Sequence, residues 1–256
     1  MTQKRSDWNE FGLGTRAIHA GQEPDPTTGA VMTPVYLTST YVQKSPGEHQ
    51  GYEYSRTDNP TRTAYQECLA SVENAKYGLA FASGVAATTN LIHTLSAGDH
   101  VVSCDDVYGG TFRLFDKVFR RQGIEFDFVD LTQIENLEKA IQPNTKMIWI
   151  ESPTNPLLKI IDIQRVSEIA KRKNIVTVVD NTFASPINQN PIDLGFDVVI
   201  HSGTKYLGGH SDLCCGAVVS NSSIMQRIYK KAKIYGGSMN AFSVYLLERS
   251  LKTLDV

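Results

Sequence analysis

Between residues 79 and 220 the chain repeatedly produces short apolar runs, and segments of helical period fall between most of them. Runs at 79–83, 100–104, 147–151, 175–180 and 216–220, the pair Phe126 and Phe128 flanking Asp127, and a run opening at Phe196 all read as strands. Strands that alternate with helices and are apolar on successive residues are buried on both faces of their sheet. The expectation is an α/β fold, a mostly parallel seven-stranded sheet with helices on both faces. The helical segments carry their own punctuation. Asn59 and Pro60 supply a cap and a first helical residue ahead of a buried face of Tyr65, Cys68, Leu69 and Val72. A helix over 85–95 is closed by Gly98, and Phe112, Phe115, Val118 and Phe119 mark another that stops at Gly123. Thr132 and Glu135 have the spacing of a capping box for the helix carrying Ile134, Leu137 and Ile141.

The two ends differ from this middle. Residues 1–60 are rich in turn formers, among them Pro24, Pro26, Gly29, Pro34, Pro46 and Gly47, and read as an extended N-terminal arm that contacts a neighbouring subunit. Residues 61–238 read as the large domain. A helical pattern from Asn240 through Leu246, Leu247 and Leu251 runs on without a closing cap. Residues 239–256 are therefore expected to start a helix leading to a C-terminal domain absent from this sequence. A net charge of -2 supplies no global field toward nucleic acid or an anionic membrane. No run reaches the roughly 18 consecutive apolar residues of a membrane span, and the polar N-terminus lacks a signal core, so a cytoplasmic location is expected. Cys68, Cys104, Cys214 and Cys215 have no metal-ligand spacing and read as buried reduced thiols, the last two on opposite faces of a strand.

Chemistry is concentrated where strands end. Ser83-Gly84-Val85 opens a helix directly after a strand, which leaves backbone N–H groups free for a phosphate. Asp180 closes a buried run and needs a cation or a hydrogen bond there. Ser202-Gly203-Thr204-Lys205 brings two hydroxyls and an amine within four residues. That lysine reads as a phosphate clamp, a surface charge or an amine that captures an aldehyde. The turn is no Walker loop, because glycine-rich sequence does not precede the lysine in the required pattern. Pyridoxal 5'-phosphate asks for all these groups together: a phosphate cradle, an acid for its ring nitrogen, a lysine for its aldehyde and an aromatic face, which Tyr108 offers. Gly203 is expected to let the backbone pass close to that cofactor.

The motifs Glu53-Tyr54-Ser55-Arg56, Asn59-Pro60-Thr61-Arg62, Ala82-Ser83-Gly84, Asp106-Val107-Tyr108-Gly109-Gly110, Glu151-Ser152-Pro153-Thr154-Asn155-Pro156, Val179-Asp180-Asn181-Thr182 and His201-Ser202-Gly203-Thr204-Lys205-Tyr206 occur in order along nearly the whole chain. Together they resemble the Cys/Met-metabolism pyridoxal phosphate enzymes, which include cystathionine γ-lyase, cystathionine β-lyase, cystathionine γ-synthase and methionine γ-lyase. The resemblance implies the type I fold of these enzymes, with an aminotransferase-like large domain. It implies that Lys205 holds the cofactor aldehyde and moves protons at the substrate, that Asp180 pairs with the pyridinium nitrogen, and that Tyr108 stacks on the ring. Gly84, Val85, Ser202 and Thr204 would hold the phosphate, with Tyr54 and Arg56 reaching it from a neighbouring subunit, and Asn155 would touch the cofactor or the substrate carboxylate. A homo-oligomer follows, a tetramer built of dimers with shared sites. The segment Ser45-Pro46-Gly47-Glu48 looks most like the γ-lyase and γ-synthase branch, and Gly110 stands where methionine γ-lyases carry a cysteine. The implied reaction is γ-elimination from cystathionine or a related thioether, with β-lyase and γ-synthase activity as alternatives. In the family, an arginine of the C-terminal domain holds the substrate carboxylate. A non-catalytic cofactor-binding module is thus the alternative from another class.

Overall fold

A computed structural model describes residues 8–256. Helices α1 (Leu13–His19) and α2 (Pro60–Val72) precede strand β1 (Tyr77–Phe81) and α3 (Gly84–Ile92). There follow β2 (His100–Cys104), α4 (Gly109–Leu114), β3 (Glu125–Val129), α5 (Ile134–Ala140), β4 (Thr145–Glu151), α6 (Ile163–Lys173) and β5 (Val176–Asp180). The short α7 (Ser185–Asn188), β6 (Val198–His201), β7 (Gly216–Ser220), α8 (Ile224–Tyr235) and α9 (Ala241–Leu251) complete the order.

All seven strands join one sheet in the order β1-β7-β6-β5-β4-β2-β3. Only β7 runs against the rest, antiparallel to both β1 and β6, while every other pairing is parallel. Every residue of β2, β6 and β7 is buried whichever way it points, as a sheet covered on both sides requires. The mostly parallel seven-stranded sheet read from the sequence is what forms. Its direct consequence is that the carboxyl ends of β1, β2, β4, β5 and β6 all open on one edge, the edge where ligands are held in such sheets.

Helix α2 forms as its cap dictates: Asn59 Oδ1 accepts the Thr61 N–H at 3.0 Å, and Tyr65, Cys68, Leu69 and Val72 are fully buried. Under β3 and β4, Phe115 stacks on Phe126 with centroids 4.6 Å apart and meets Trp149 edge-on at 5.3 Å. Such pairs add about 0.5–1.5 kcal/mol each beyond their burial. No helix among the described residues is long and apolar enough to cross a membrane.

Several local expectations give way to competing contacts. The Thr132 capping box does not form, because Thr132 donates its N–H and its hydroxyl to Asp130 Oδ1 at 3.1 and 2.7 Å, and α5 starts after Gln133 with no side-chain cap. An Asx turn two residues upstream has captured the hydroxyl. The segment after Tyr108 is α-helical only to Leu114, then widens to a π turn over Phe115–Phe119 before a 3-10 turn ends at Gly123. The extra residue in that turn rotates the face, so Phe115 and Phe119 are buried while Phe112 and Val118 are exposed. Cys68, Cys104 and Cys215 are buried, but Cys214 is exposed and neither it nor Cys215 lies in a strand. Gly203 packs on Cys215, where a Cβ would lie 3.0 Å from the Cys215 Sγ, so its small size serves the interior.

The arm is held in part by its own chain. Arg16 Nη1 donates to Ser71 O and Asn74 Oδ1, both at 2.5 Å, Thr33 donates its hydroxyl to Glu248 on α9 at 2.7 Å, and Tyr36 N–H donates to Thr61 at 3.0 Å. Helix α9 packs along α2 and closes at Lys252, and the residues beyond it turn. The arm between these anchors exposes Val31, Leu37 and Val42.

Candidate active site

The carboxyl edge of the sheet brings together most, though not all, of the residues singled out from the sequence. After β1 the chain turns at Ser83, whose Oγ accepts the Ala86 N–H at 3.1 Å and starts α3. Gly84 sits flush against the turn after β6: a Cβ there would meet Ser202 Cβ at 3.0 Å. Glycine is what lets the first turn of α3 approach Ser202, so Gly84, Val85 and Ser202 form one surface, with helix N–H groups available to an anion. Thr204 does not share it. Its hydroxyl donates to Cys215 O at 3.2 Å and accepts the Cys215 N–H at 3.0 Å, which ties the lysine turn to the start of β7. Residues at alternating positions thus look in different directions, Ser202 to α3 and Thr204 to β7. Lys205 follows on the exposed side of this turn, its backbone N–H held by Ser202 O at 3.1 Å.

Asp180 ends β5 next to β6, and its Oδ1 accepts both the N–H and the hydroxyl of Thr182, at 3.0 and 2.5 Å. The Thr182 oxygen accepts the Ser202 N–H at 2.8 Å in turn, so the acid and the lysine turn are joined through one hydroxyl. Glu151 ends β4 in register with Asp180. Burial first, and the Asp180 charge second, push the Glu151 carboxyl up to about 9, against the backbone N–H groups of Tyr108 and Asn155 that favour its anion. Burial raises Asp180 as well, offset only in part by the Thr182 hydrogen bonds and then by the neighbouring His201. Of the two acids Glu151 holds its proton, because burial and the neighbouring Asp180 both act against its charge.

Tyr108 stands exposed at the N-terminus of α4, its backbone N–H donated to Glu151 Oε2 at 2.9 Å. Its ring lies over Gly110, where a Cβ would come within 2.3 Å of Tyr108 Cε1. Asp106 braces the loop after β4, accepting the Thr154 hydroxyl at 2.5 Å and the Leu157 N–H at 2.9 Å, and so orders the segment carrying Asn155. Tyr54 and Arg56 lie elsewhere on the chain. The Arg56 guanidinium stacks 5.3 Å from the Tyr54 ring centroid and donates to Lys233 O at the end of α8.

A cavity of about 700 Å³ opens beside the lysine turn, lined by Tyr206, Gly209 and His210, by Phe183 and Asn188, and by the residues after α9. Among the described residues no cluster of His, Cys, Asp and Glu could hold a metal ion. Reasoning from sequence missed three groups. Glu151 carries no role in the motif that contains it, although an acid closing an apolar run is a readable signal. Thr182 stood within the Asp180 motif. The buried Glu73, which meets His201 at 2.5 Å, had no signal at all, since only tertiary packing brings it there.

A lysine turn, a hydrogen-bonded carboxylate, an aromatic at a helix start and a helix N-terminus closed by glycine, all on the carboxyl edge of a doubly covered sheet, define the class of aldehyde-cofactor enzymes, and the donor set fits pyridoxal phosphate. Gly84 against Ser202 leaves the room an anion needs, and Asp180, its carboxyl oriented by Thr182, is an acid that can meet a cationic ring nitrogen. The chain belongs to the family of Cys/Met metabolism PLP-dependent enzymes, whose profile matches residues 14–256. It is 53% identical over 248 residues to a probable cystathionine gamma-synthase of Herpetosiphon aurantiacus, covering 96% of this chain and 78% of that one. It is equally 53% identical over 247 residues to a cystathionine beta-lyase of Coxiella burnetii, covering 95% of this chain but 64% of that protein's length. A solved structure of cystathionine gamma-lyase from Lactobacillus plantarum complexed with L-serine superposes with a TM-score of 0.94 at 44% identity, covering 96% of this chain and 64% of that one.

Proposed function

We propose that the protein is a carbon–sulfur lyase of trans-sulfuration that cleaves the Cγ–S bond of L-cystathionine, consuming one water and giving cysteine, 2-oxobutanoate and ammonia. What supports this is the joining of Asp180 to the Lys205 turn through the Thr182 hydroxyl, beside Tyr108, in a chain whose relatives carry cystathionine names. Pyridoxal phosphate, when bound, supplies an aldehyde that captures the substrate amine and a ring that takes up the electron pair released at Cα. Gly84, Val85 and Ser202 hold its phosphate, with Thr204 buttressing the turn from the β7 side. Asp180 keeps the ring nitrogen protonated, and Tyr108 covers the ring face. Lys205 Nζ holds the aldehyde at rest and afterwards takes the proton from Cα, a task suited to an amine whose basicity responds to its surroundings. Asn155 meets the cofactor or the substrate carboxylate. Tyr54 and Arg56 reach the phosphate of a second copy, which makes the working unit a homo-oligomer of shared sites in the cytoplasm.

Products separate the alternatives. Incubation with cystathionine is expected to give cysteine with 2-oxobutanoate. Homocysteine with pyruvate would assign a β-lyase, turnover only of an O-acylhomoserine with cysteine would assign a γ-synthase, and a cofactor absorbance band without any product would assign a binding module. Lys205→Ala is expected to abolish the borohydride-reducible cofactor adduct. Retention of that adduct would place the aldehyde on another amine.

A further inference from the structure

Helix α2 carries an arginine where a helix is least suited to one, and the roles above do not use it. Arg62 is the third residue of α2, where a cation opposes the helix dipole, and at 4% exposed it is buried as well. Main-chain carbonyls just upstream offset both costs. Nη1 donates to Ser55 O at 2.9 Å and Nη2 to Thr57 O at 2.8 Å, with a longer contact from Nη2 to Arg56 O at 3.5 Å. One planar fork thus holds the carbonyls on both sides of Arg56. The rest of the turn is tied too. Tyr54 O accepts the N–H groups of Thr57 and Asp58 at 3.0 and 3.1 Å and the Thr57 hydroxyl at 2.7 Å. Ser55 N–H donates to Ser39 O at 2.8 Å, and Asp58 accepts the Tyr229 hydroxyl from α8. On this fixed backbone the Tyr54 and Arg56 side chains stand exposed, stacked on each other. Arg62 Nη1 also reaches Met239 O at 3.4 Å. Two residues before Met239, Gly237 O accepts the Ala82 N–H at 2.6 Å, directly ahead of the Ser83–Gly84 turn.

We propose that Arg62 is a positioning residue whose guanidinium fixes the backbone on both sides of Arg56, so that Tyr54 and Arg56 are presented as a preformed phosphate-binding pair. Holding the turn before the ligand arrives removes the ordering cost that a free arm would incur on binding. Arginine suits the task because its planar donors span two carbonyls at once, whereas a lysine ammonium is a single point. The proposal rests on the reading above that this pair reaches the cofactor phosphate of a second copy.

The test titrates cofactor-free protein with pyridoxal phosphate and with pyridoxal, which lacks the phosphate. Wild-type protein is expected to bind the phosphate ester more tightly. Arg62→Lys is expected to reduce that preference about tenfold, the scale of one hydrogen bond to a charged group, while affinity for pyridoxal stays within about threefold. The double variant Tyr54→Phe with Arg56→Ala should reduce the preference at least as far, and adding Arg62→Lys to it should reduce the preference no further. An arginine that merely stabilises α2 would lower the urea midpoint, or weaken both ligands alike, and leave the preference unchanged; that result overturns the proposal. If Arg62→Lys fails to fold, amide hydrogen exchange of wild-type protein decides. Residues 55–58 protected before pyridoxal phosphate is added support a preformed turn, and protection that rises more than about tenfold on adding it refutes one. Wild-type protein with no preference for the phosphate ester would instead refute the phosphate reading of Tyr54 and Arg56, and the proposal with it.

Discussion

Replacing Glu151 with glutamine should remove a pH dependence from folding while leaving the hydrogen bonds around it nearly intact. Glu151 is 4% exposed and closes β4 beside Asp180, and its carboxyl is pushed up to about 9, chiefly by burial. In the unfolded chain the same group titrates near 4.3. Between those values the folded state carries a proton that the unfolded state has lost, so stability falls as pH rises. The stabilisation from this group is complete below about pH 4.3 and disappears as pH climbs through the folded value. One proton of difference amounts to about 1.4 kcal/mol per pH unit. Glutamine mimics the protonated acid at every pH, and its carbonyl can still accept the Tyr108 N–H. Between pH 6 and pH 8 the Glu151→Gln protein should therefore gain on wild type by roughly 2.7 kcal/mol. Urea unfolding of both cofactor-free proteins at pH 6, 7 and 8 measures this directly, and subtracting one from the other cancels titrations common to both. A stability difference that stays constant to within about 0.5 kcal/mol across that range, the scatter of a surface substitution, would refute the assignment of the proton to Glu151.

Three further outcomes are expected. Gly110→Ala places a methyl where the Tyr108 ring now lies, 2.3 Å from Cε1, so titration with pyridoxal phosphate should show at least a tenfold weaker affinity with the fold intact; unchanged affinity would mean that the ring does not contact the cofactor from this position. Arg56→Ala should weaken cofactor retention while costing only about 0.5–1 kcal/mol of folding stability for its exposed stack on Tyr54. Mixing that variant with Lys205→Ala should restore some activity through hybrid sites, and no recovery on mixing would count against sharing. Asn59→Ala removes the cap of α2 and the bonds from Asn59 Nδ2 to Tyr36 O and Ser55 Oγ, so the urea midpoint should fall by the equivalent of about 1–2 kcal/mol; a loss below 0.3 would show that the arm does not depend on it.

Local physics explains why much of this was legible. A cap followed by proline, as at Asn59 and Pro60, acts within a few residues and forms the helix that it announces. Strand runs such as those at 100–104 and 216–220 needed only their apolar character, and they fall where they were read. The left-handed Gly123, at φ 84°, stops its segment for the same local reason. Expectations failed where two local signals competed. Asp130 took the Thr132 hydroxyl before it could cap α5, and the π turn after Leu114 exchanged which aromatic residues face inward.

Taken alone, the sequence determined the alternation of strands and helices, the mostly parallel sheet, and the lysine, acid and tyrosine brought to one edge of it. Each of these follows from period, turn chemistry and the rule that parallel strands release their chains on the same side. Tertiary structure decided which neighbours those groups keep. Glu151 acquires its proton because β4 and β5 are paired in register, Thr204 turns to Cys215 because β7 returns antiparallel beside β6, and Glu73 finds His201 across 128 residues of sequence. Charge and hydrogen-bond balance at a buried site depend on distances between segments remote in the chain, and no local pattern encodes those distances.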